Sequence, residues 1–123
     1  MRNKISIASQ PRKVRKAQIN APLHIKHKML GAHLSKDLRA QYGKRSVVVR
    51  AGDKVEVMRG KFGGTVGKVD EVSTAKSAVT LENVTISRTD GTKIKPKIHA
   101  SNLRIVELNM EDSWRNKALE RKK

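Results

Sequence analysis

The chain has 123 residues, with 28 Lys and Arg against 11 Asp and Glu, a formal net charge of +17. That length is the size of one domain, and self-repulsion on this scale works against compaction unless a polyanion is present. Cysteine is absent, which excludes disulfides, thiol catalysis and cysteine-based zinc or iron–sulfur sites; no apolar run reaches the ~18 residues of a membrane span, and the charged N-terminus lacks the apolar stretch of a secretory signal.

Residues 1–50 carry 13 Lys and Arg and a single acid, Asp37, whereas residues 51–110 carry ten Lys and Arg and seven acids. The middle has the balance of a folded domain and the front that of a segment held against a polyanion. A lipid surface would need a large apolar face, which residues 1–20 lack. Residues 1–21 are expected to form an extended arm: Pro11 and Pro22 limit helix, and Arg12, Lys13, Arg15 and Lys16 crowd like charges. Such a segment is disordered alone in water.

A short helix is predicted over 22–30, with Pro22 at its start, Leu23, His27 and Leu30 on one face, and Gly31 as its stop. A second is predicted over 35–42, capped by Ser35, with Asp37 favouring its N-terminal dipole, Leu34, Leu38 and Tyr42 recurring every fourth residue, and Gly43 ending it. Both are too short to persist unless docked.

Residues 46–108 read as β-structure. Val47, Val48 and Val49 form an apolar run, Gly52-Asp53 a turn, and Val55 and Val57 alternate with Lys54 and Glu56. A glycine-rich turn spans 60–64. Val66 and Val69 follow, with a bulge expected at Gly67. Val79 with Leu81, then Val84 with Ile86, give further strands, and Asp90-Gly91 a hairpin turn. Ile94, Pro96 and Ile98 alternate with Lys93, Lys95 and Lys97, and Pro96 marks an edge strand. Leu103, Ile105 and Val106 close the set. About five short strands in some sixty residues predict a mainly β fold, a small SH3-like barrel. A helix over 110–121 is expected to start at Glu111 and Asp112, end in basic residues, and dock through Trp114 and Ala118.

The glycine-rich turn is not a phosphate loop: Phe62 and Val69 stand where that motif needs Gly and Ser or Thr. Glycines needed for positive φ explain it, and they also let a backbone approach phosphates closely. The four histidines, His24, His27, His33 and His99, have no carboxylate or third ligand at a local metal spacing. No nucleophile–base or paired-carboxylate pattern is recognisable, so catalysis is not expected, nor any cofactor or metal. The lysines at 93, 95 and 97 would lie about 6.6 Å apart along one strand face, a spacing suited to a phosphate backbone; an exposed edge kept soluble by lysine is the plainer alternative. With only Tyr42, Phe62 and Trp114 as aromatics, stacking of several single-stranded bases is ruled out. Folded RNA read by phosphate, 2′-hydroxyl and shape is the expected partner.

The stretch RAGDKVEVMRGKFGGTVGKVDEVSTAK from Arg50 to Lys76 resembles a KOW motif. KOW motifs occur in ribosomal proteins and in transcription elongation factors. The flanks, QPRKVRK at 10–16, APLHIKHKM at 21–29, LSKDLRAQYGKRSVVVRAGD at 34–53 and ASNLRIVEL at 100–108, resemble the archaeal and eukaryotic form of ribosomal protein L twenty-four. The resemblance covers nearly the whole chain, and the short end after the last helix points to an archaeal member. It implies a cytoplasmic large-subunit protein, bound within the ribosome to the 5′ domain of large-subunit rRNA and to neighbouring proteins. It further implies a part in starting subunit assembly and a place near the peptide exit tunnel. Carried residue by residue, RNA contact falls on Arg12, Lys13, Arg15 and Lys16; on His24 and Lys28; on Arg39; on Arg45, Arg59, Lys61 and Gly63; and on Lys97, His99 and Asn102. The expected organisation is a basic RNA-binding arm with short helices over 1–45, the barrel over 46–109 and a C-terminal helix over 110–123. A transcription elongation module binding polymerase and nascent RNA is the alternative, but such a module normally adjoins a polymerase-binding domain, for which no segment is long enough. A nucleic-acid-processing enzyme is a third reading, disfavoured by the lack of a metal or acid cluster.

Overall fold

The computed structural model describes residues 9–121. Pro11 opens a helix rather than preventing one: α1 spans Pro11–Asn20, with Pro at its first position and helix-forming Arg, Lys, Ala and Gln after it. The expected extended arm is therefore helical over this segment, and its first eight residues lie outside the described part. α1 buries no residue and has no side-chain N-cap. α2 (Leu23–Lys28) follows, with Pro22 as its N-cap; it leaves Leu23 and His27 exposed, so the face predicted from their spacing is not the docked one. Gly31 does not stop this helix but begins a strand, β1 (Gly31–Leu34), which buries Ala32 and Leu34. Four residues are too few for their alternation to announce a strand. α3 (Lys36–Tyr42) is built as its sequence predicts: Ser35 accepts a hydrogen bond from the Leu38 amide, and Gly43 closes it with φ +66°.

β2 (Ser46–Val48), β3 (Lys54–Val57), β4 (Val66–Ser73), β5 (Ala78–Leu81), β6 (Ile86–Ser87), β7 (Lys93–Ile94), β8 (Ile98–His99) and β9 (Leu103–Glu107) complete the strands. Seven of the nine form one sheet in the order β2-β1-β9-β3-β4-β5-β8. Five successive strands of it, β9-β3-β4-β5-β8, pair antiparallel as a small mainly β domain, and a 3₁₀ turn at Ala100–Asn102 joins β8 to β9. The ladder is open, with β2 and β8 at its ends. β1 extends it by lying parallel to β9, His33 opposite Arg104, and antiparallel to β2. The core thus takes Leu30, Ala32 and Leu34 from ahead of residue 46, alongside Val55, Leu81, Leu103 and Ile105.

Two local expectations are corrected. The register shift in β4 falls between Val69 and Glu71 against β5, not at Gly67, which pairs regularly with Val55. The predicted strand through 93–98 is broken into β7 and β8 around Pro96, whose missing N–H cannot serve a ladder. The Asp90-Gly91 turn is confirmed: Gly91 has φ +89°, the Thr92 amide donates to Asp90 Oδ1 at 2.9 Å, and Ile86 pairs with Ile94.

α4 (Ser113–Glu120) starts one residue after its N-cap, Asp112, whose carboxylate accepts from the Trp114 amide at 3.0 Å. It docks through Arg115 and Leu119, not through Trp114 and Ala118. The reason is electrostatic. Asp53, fully buried in the turn before β3, accepts two hydrogen bonds from the Arg115 guanidinium, both at 2.6 Å, and one each from the amides of Arg50 and Asn109. Arg115 also donates to the carbonyls of Val48 and Asn109. A buried carboxylate needs this compensation, and meeting it rotates the helix so that Trp114 faces solvent, 73% exposed.

Candidate nucleic-acid interface

The cations of α1 all fall in its first six residues: Arg12, Lys13, Arg15 and Lys16 are all exposed. They stand at the positive end of the helix dipole with no acid in the first turn, and Arg12 lies one turn from Lys16. Both features disfavour the helix in isolation, and both are reversed by an anion placed at that end.

His24 and Lys28 lie exposed on α2. Arg39 is half-buried on α3 and, with Gly43, Lys44 and the exposed Arg45, lines an open depression. Within it the Arg39 Nε is buried and has no hydrogen-bond partner among the described residues. Lys44 reaches the Ala118 carbonyl near the end of α4, so this basic loop abuts the C-terminal helix. Arg59, Lys61 and Gly63 are exposed in the turn between β3 and β4. There Gly64 takes φ +87° and donates to the Val57 carbonyl at 2.7 Å. The Met58 amide donates to the Asn102 carbonyl at 2.8 Å, which brings this turn beside the 3₁₀ segment that carries Asn102. Lys97 is exposed just before β8. His99 caps the 3₁₀ turn, its Nδ1 accepting from the Ser101 amide at 3.2 Å. It also lines a cleft with Gln18, Ile19, Lys26, Met29, Lys76 and Ser77, where the end of α1, α2 and the turn before β5 converge.

The residues carried over from the resemblance did not include Lys26, Lys44 and Lys76, which the fold sets beside His99 and Arg45. Lys44 could have been found as the neighbour of Arg45; Lys76 comes near His99 only through the pairing of β5 with β8. The lysine ladder is reduced: Lys93, Lys95 and Lys97 all face outward, but Lys95 pairs with Asp70 at 2.6 Å. That carboxylate raises the Lys95 pKa above the ordinary 10.5.

Five ion pairs are found among the described residues, and they engage Arg50, Lys54, Lys95, Arg104 and Arg115. None of the candidate cations is among them. Where the fold neutralises a cation, it neutralises others and leaves the candidate set uncompensated. No group of three or more His, Asp or Glu side chains that could hold a metal ion occurs among the described residues.

Residues 8–122 match the family model that describes the eukaryotic ribosomal proteins L26 and their archaeal L24 counterparts. The chain is 46% identical to the large ribosomal subunit protein uL24 of Haloarcula marismortui, over 93% of this chain and 95% of the relative. It is 44% identical to the uL24 of Methanosphaera stadtmanae, over 94% and 99%. Against the uL24 of Nitrosopumilus maritimus it is 51% identical, over 92% of this chain and 68% of the relative.

Proposed function

The chain belongs to the ribosomal protein family that comprises L26 of eukaryotes and L24 of archaea, and from that membership we propose that it is a structural constituent of the large ribosomal subunit, working in the cytoplasm by binding large-subunit rRNA directly. It is a non-enzymatic protein. The observation that carries the RNA reading is the excess of unpaired cations: five acids, Asp53, Glu56, Asp70, Glu107 and Asp112, pair with Arg115, Arg104, Lys95, Lys54 and Arg50, while the cations of α1, the Arg39–Arg45 depression and the β3–β4 turn carry no carboxylate partner among the described residues. Uncompensated cations on a +17 chain are what phosphate contact requires, and counterion release makes such binding steeply salt-dependent.

The mechanism is a clamp. The β domain presents the β3–β4 turn and the 3₁₀ segment to one RNA surface, and the basic segment ahead of it orders between neighbouring RNA helices, where phosphates offset the charge at the start of α1. The RNA is the 5′ domain of large-subunit rRNA, contacted through the fourteen carried residues, from Arg12 in α1 to Asn102 in the 3₁₀ turn. Neighbouring large-subunit proteins, a part in early assembly and a position near the exit tunnel belong to the same reading, as does the division at residues 45 and 109.

Crosslinking the protein to RNA in living cells and sequencing the bound RNA tests this. Reads concentrated at one place in the 5′ domain of large-subunit rRNA are expected. Reads spread over nascent transcripts, with rRNA at background, would overturn it in favour of an elongation module.

A further inference from the structure

We propose that Trp114 is a stacking platform for one unpaired RNA base, held beside the basic loop at 43–45; this deepens the rRNA reading above and rests on it. A tryptophan ordinarily contributes on the order of 150–250 Å² of burial to a core or interface. This fold uses little of it: the residue is 73% exposed. It is also held in a fixed place. On the docked face of α4, Arg115 is locked into Asp53 and Leu119 is buried, while Asp112 caps the helix start and binds Arg50. An aromatic carried outward on a docked helix has the fixed orientation that stacking requires.

The surroundings select a nucleic acid as the occupant. The Lys117 ammonium lies 5.1 Å from the ring centroid. The exposed Ala118 and Arg121 continue the same helical stripe toward the C-terminus, and at that end Lys44 meets the Ala118 carbonyl, joining the stripe to the depression lined by Arg39, Gly43, Lys44 and Arg45. Glu111 is the one acid within a turn of Trp114 on its N-terminal side besides the capping Asp112, which Arg50 already engages. An exposed ring with a lysine ammonium over one face, on a helix whose end meets a basic depression, matches a base with its phosphates. A protein partner would need an acidic, apolar patch to fit the same surface.

Trp114 is the only tryptophan, so its fluorescence reports this contact alone. Full-length protein is titrated with purified large-subunit rRNA, and binding is followed independently by filter retention. Stacking is expected to quench the emission at least twofold on binding. Trp114→Ala is expected to weaken binding roughly tenfold and Trp114→Phe to restore most of the loss, the range seen for single base–aromatic stacks. Retention on the filter with unchanged emission and unchanged Trp114→Ala affinity would overturn the platform while leaving the rRNA reading intact. A shift to bluer emission that appears only when the other large-subunit proteins are added would overturn it in favour of a protein contact. Absence of retention would overturn both.

Discussion

Among single residues, Asp53 and Arg115 decide most. Neither exposes more than 4% of its surface, and together they hold the turn before β3, the carbonyl end of β2 and the start of α4. Removing one partner strands a buried charge, so Arg115→Ala is expected to cost about 3–5 kcal/mol in denaturant unfolding. The double change Asp53→Ala with Arg115→Ala is expected to cost clearly less than the two singles added. Gly52, immediately before Asp53, has φ +94°, and a Cβ there would lie 2.4 Å from the Asn109 side-chain nitrogen. Gly52→Ala is therefore expected to destabilise by about 1–3 kcal/mol, visible as a lower denaturant midpoint. Asp112 illustrates the same economy at the surface. Its hydrogen bond from Arg50 and that from the Trp114 amide lower its pKa below 3.8. A carboxylate depressed in the folded state stabilises above its unfolded value and loses that contribution as pH falls through the folded one. The amide of Trp114 is accordingly expected to keep its protection above pH 3.8 and lose it progressively below, in hydrogen-exchange measurements across that range.

The individual elements divide into those that stand on their own signals and those that need a partner. α3 has a serine cap and a left-handed glycine end, and the β6–β7 hairpin has its Asp-Gly turn; both were legible because capping and turn chemistry act within a few residues. α1 is the opposite case. It buries nothing, lacks a cap and gathers cations at the wrong end of its dipole, so its stability depends on what binds it. Helical signal in circular dichroism is expected to rise when RNA is added. Replacing Arg12, Lys13, Arg15 and Lys16 with alanine is expected to leave the thermal midpoint nearly unchanged. The same change is expected to lower the slope of log affinity against log salt by up to about 0.9 for each phosphate no longer neutralised. A large fall in midpoint would show that α1 packs into the domain. α4, two turns long, shows why periodicity missed the docked face: so short a helix with one tryptophan offers a plausible apolar face in the wrong direction, and the true one is led by an arginine.

Across the molecule, a net charge of +17 sits on a core supplied mainly by short strands. Self-repulsion is screened by salt, so the free protein's thermal midpoint is expected to rise from low to moderate ionic strength while its affinity for RNA falls. The two trends, measured on one preparation, separate the energetics of folding from those of binding.

Composition and local pattern determined a strongly basic chain, the mainly β middle, the serine-capped helix that ends at Gly43 and the glycine-rich turns, because charge, alternation and turn chemistry are written in neighbouring residues. The candidate cations followed from motif resemblance, and the structure adds that the described ones lie exposed or half-buried without carboxylate partners. Tertiary structure alone decided the rest. β1 enters the sheet because β9, some seventy residues later, offers it a parallel edge. Lys95 leaves the lysine ladder because Asp70 reaches it. Trp114 faces outward because Arg115 answers a carboxylate 62 positions away. A buried charge must be matched wherever its partner lies in the chain, and no local period in the sequence records that distance.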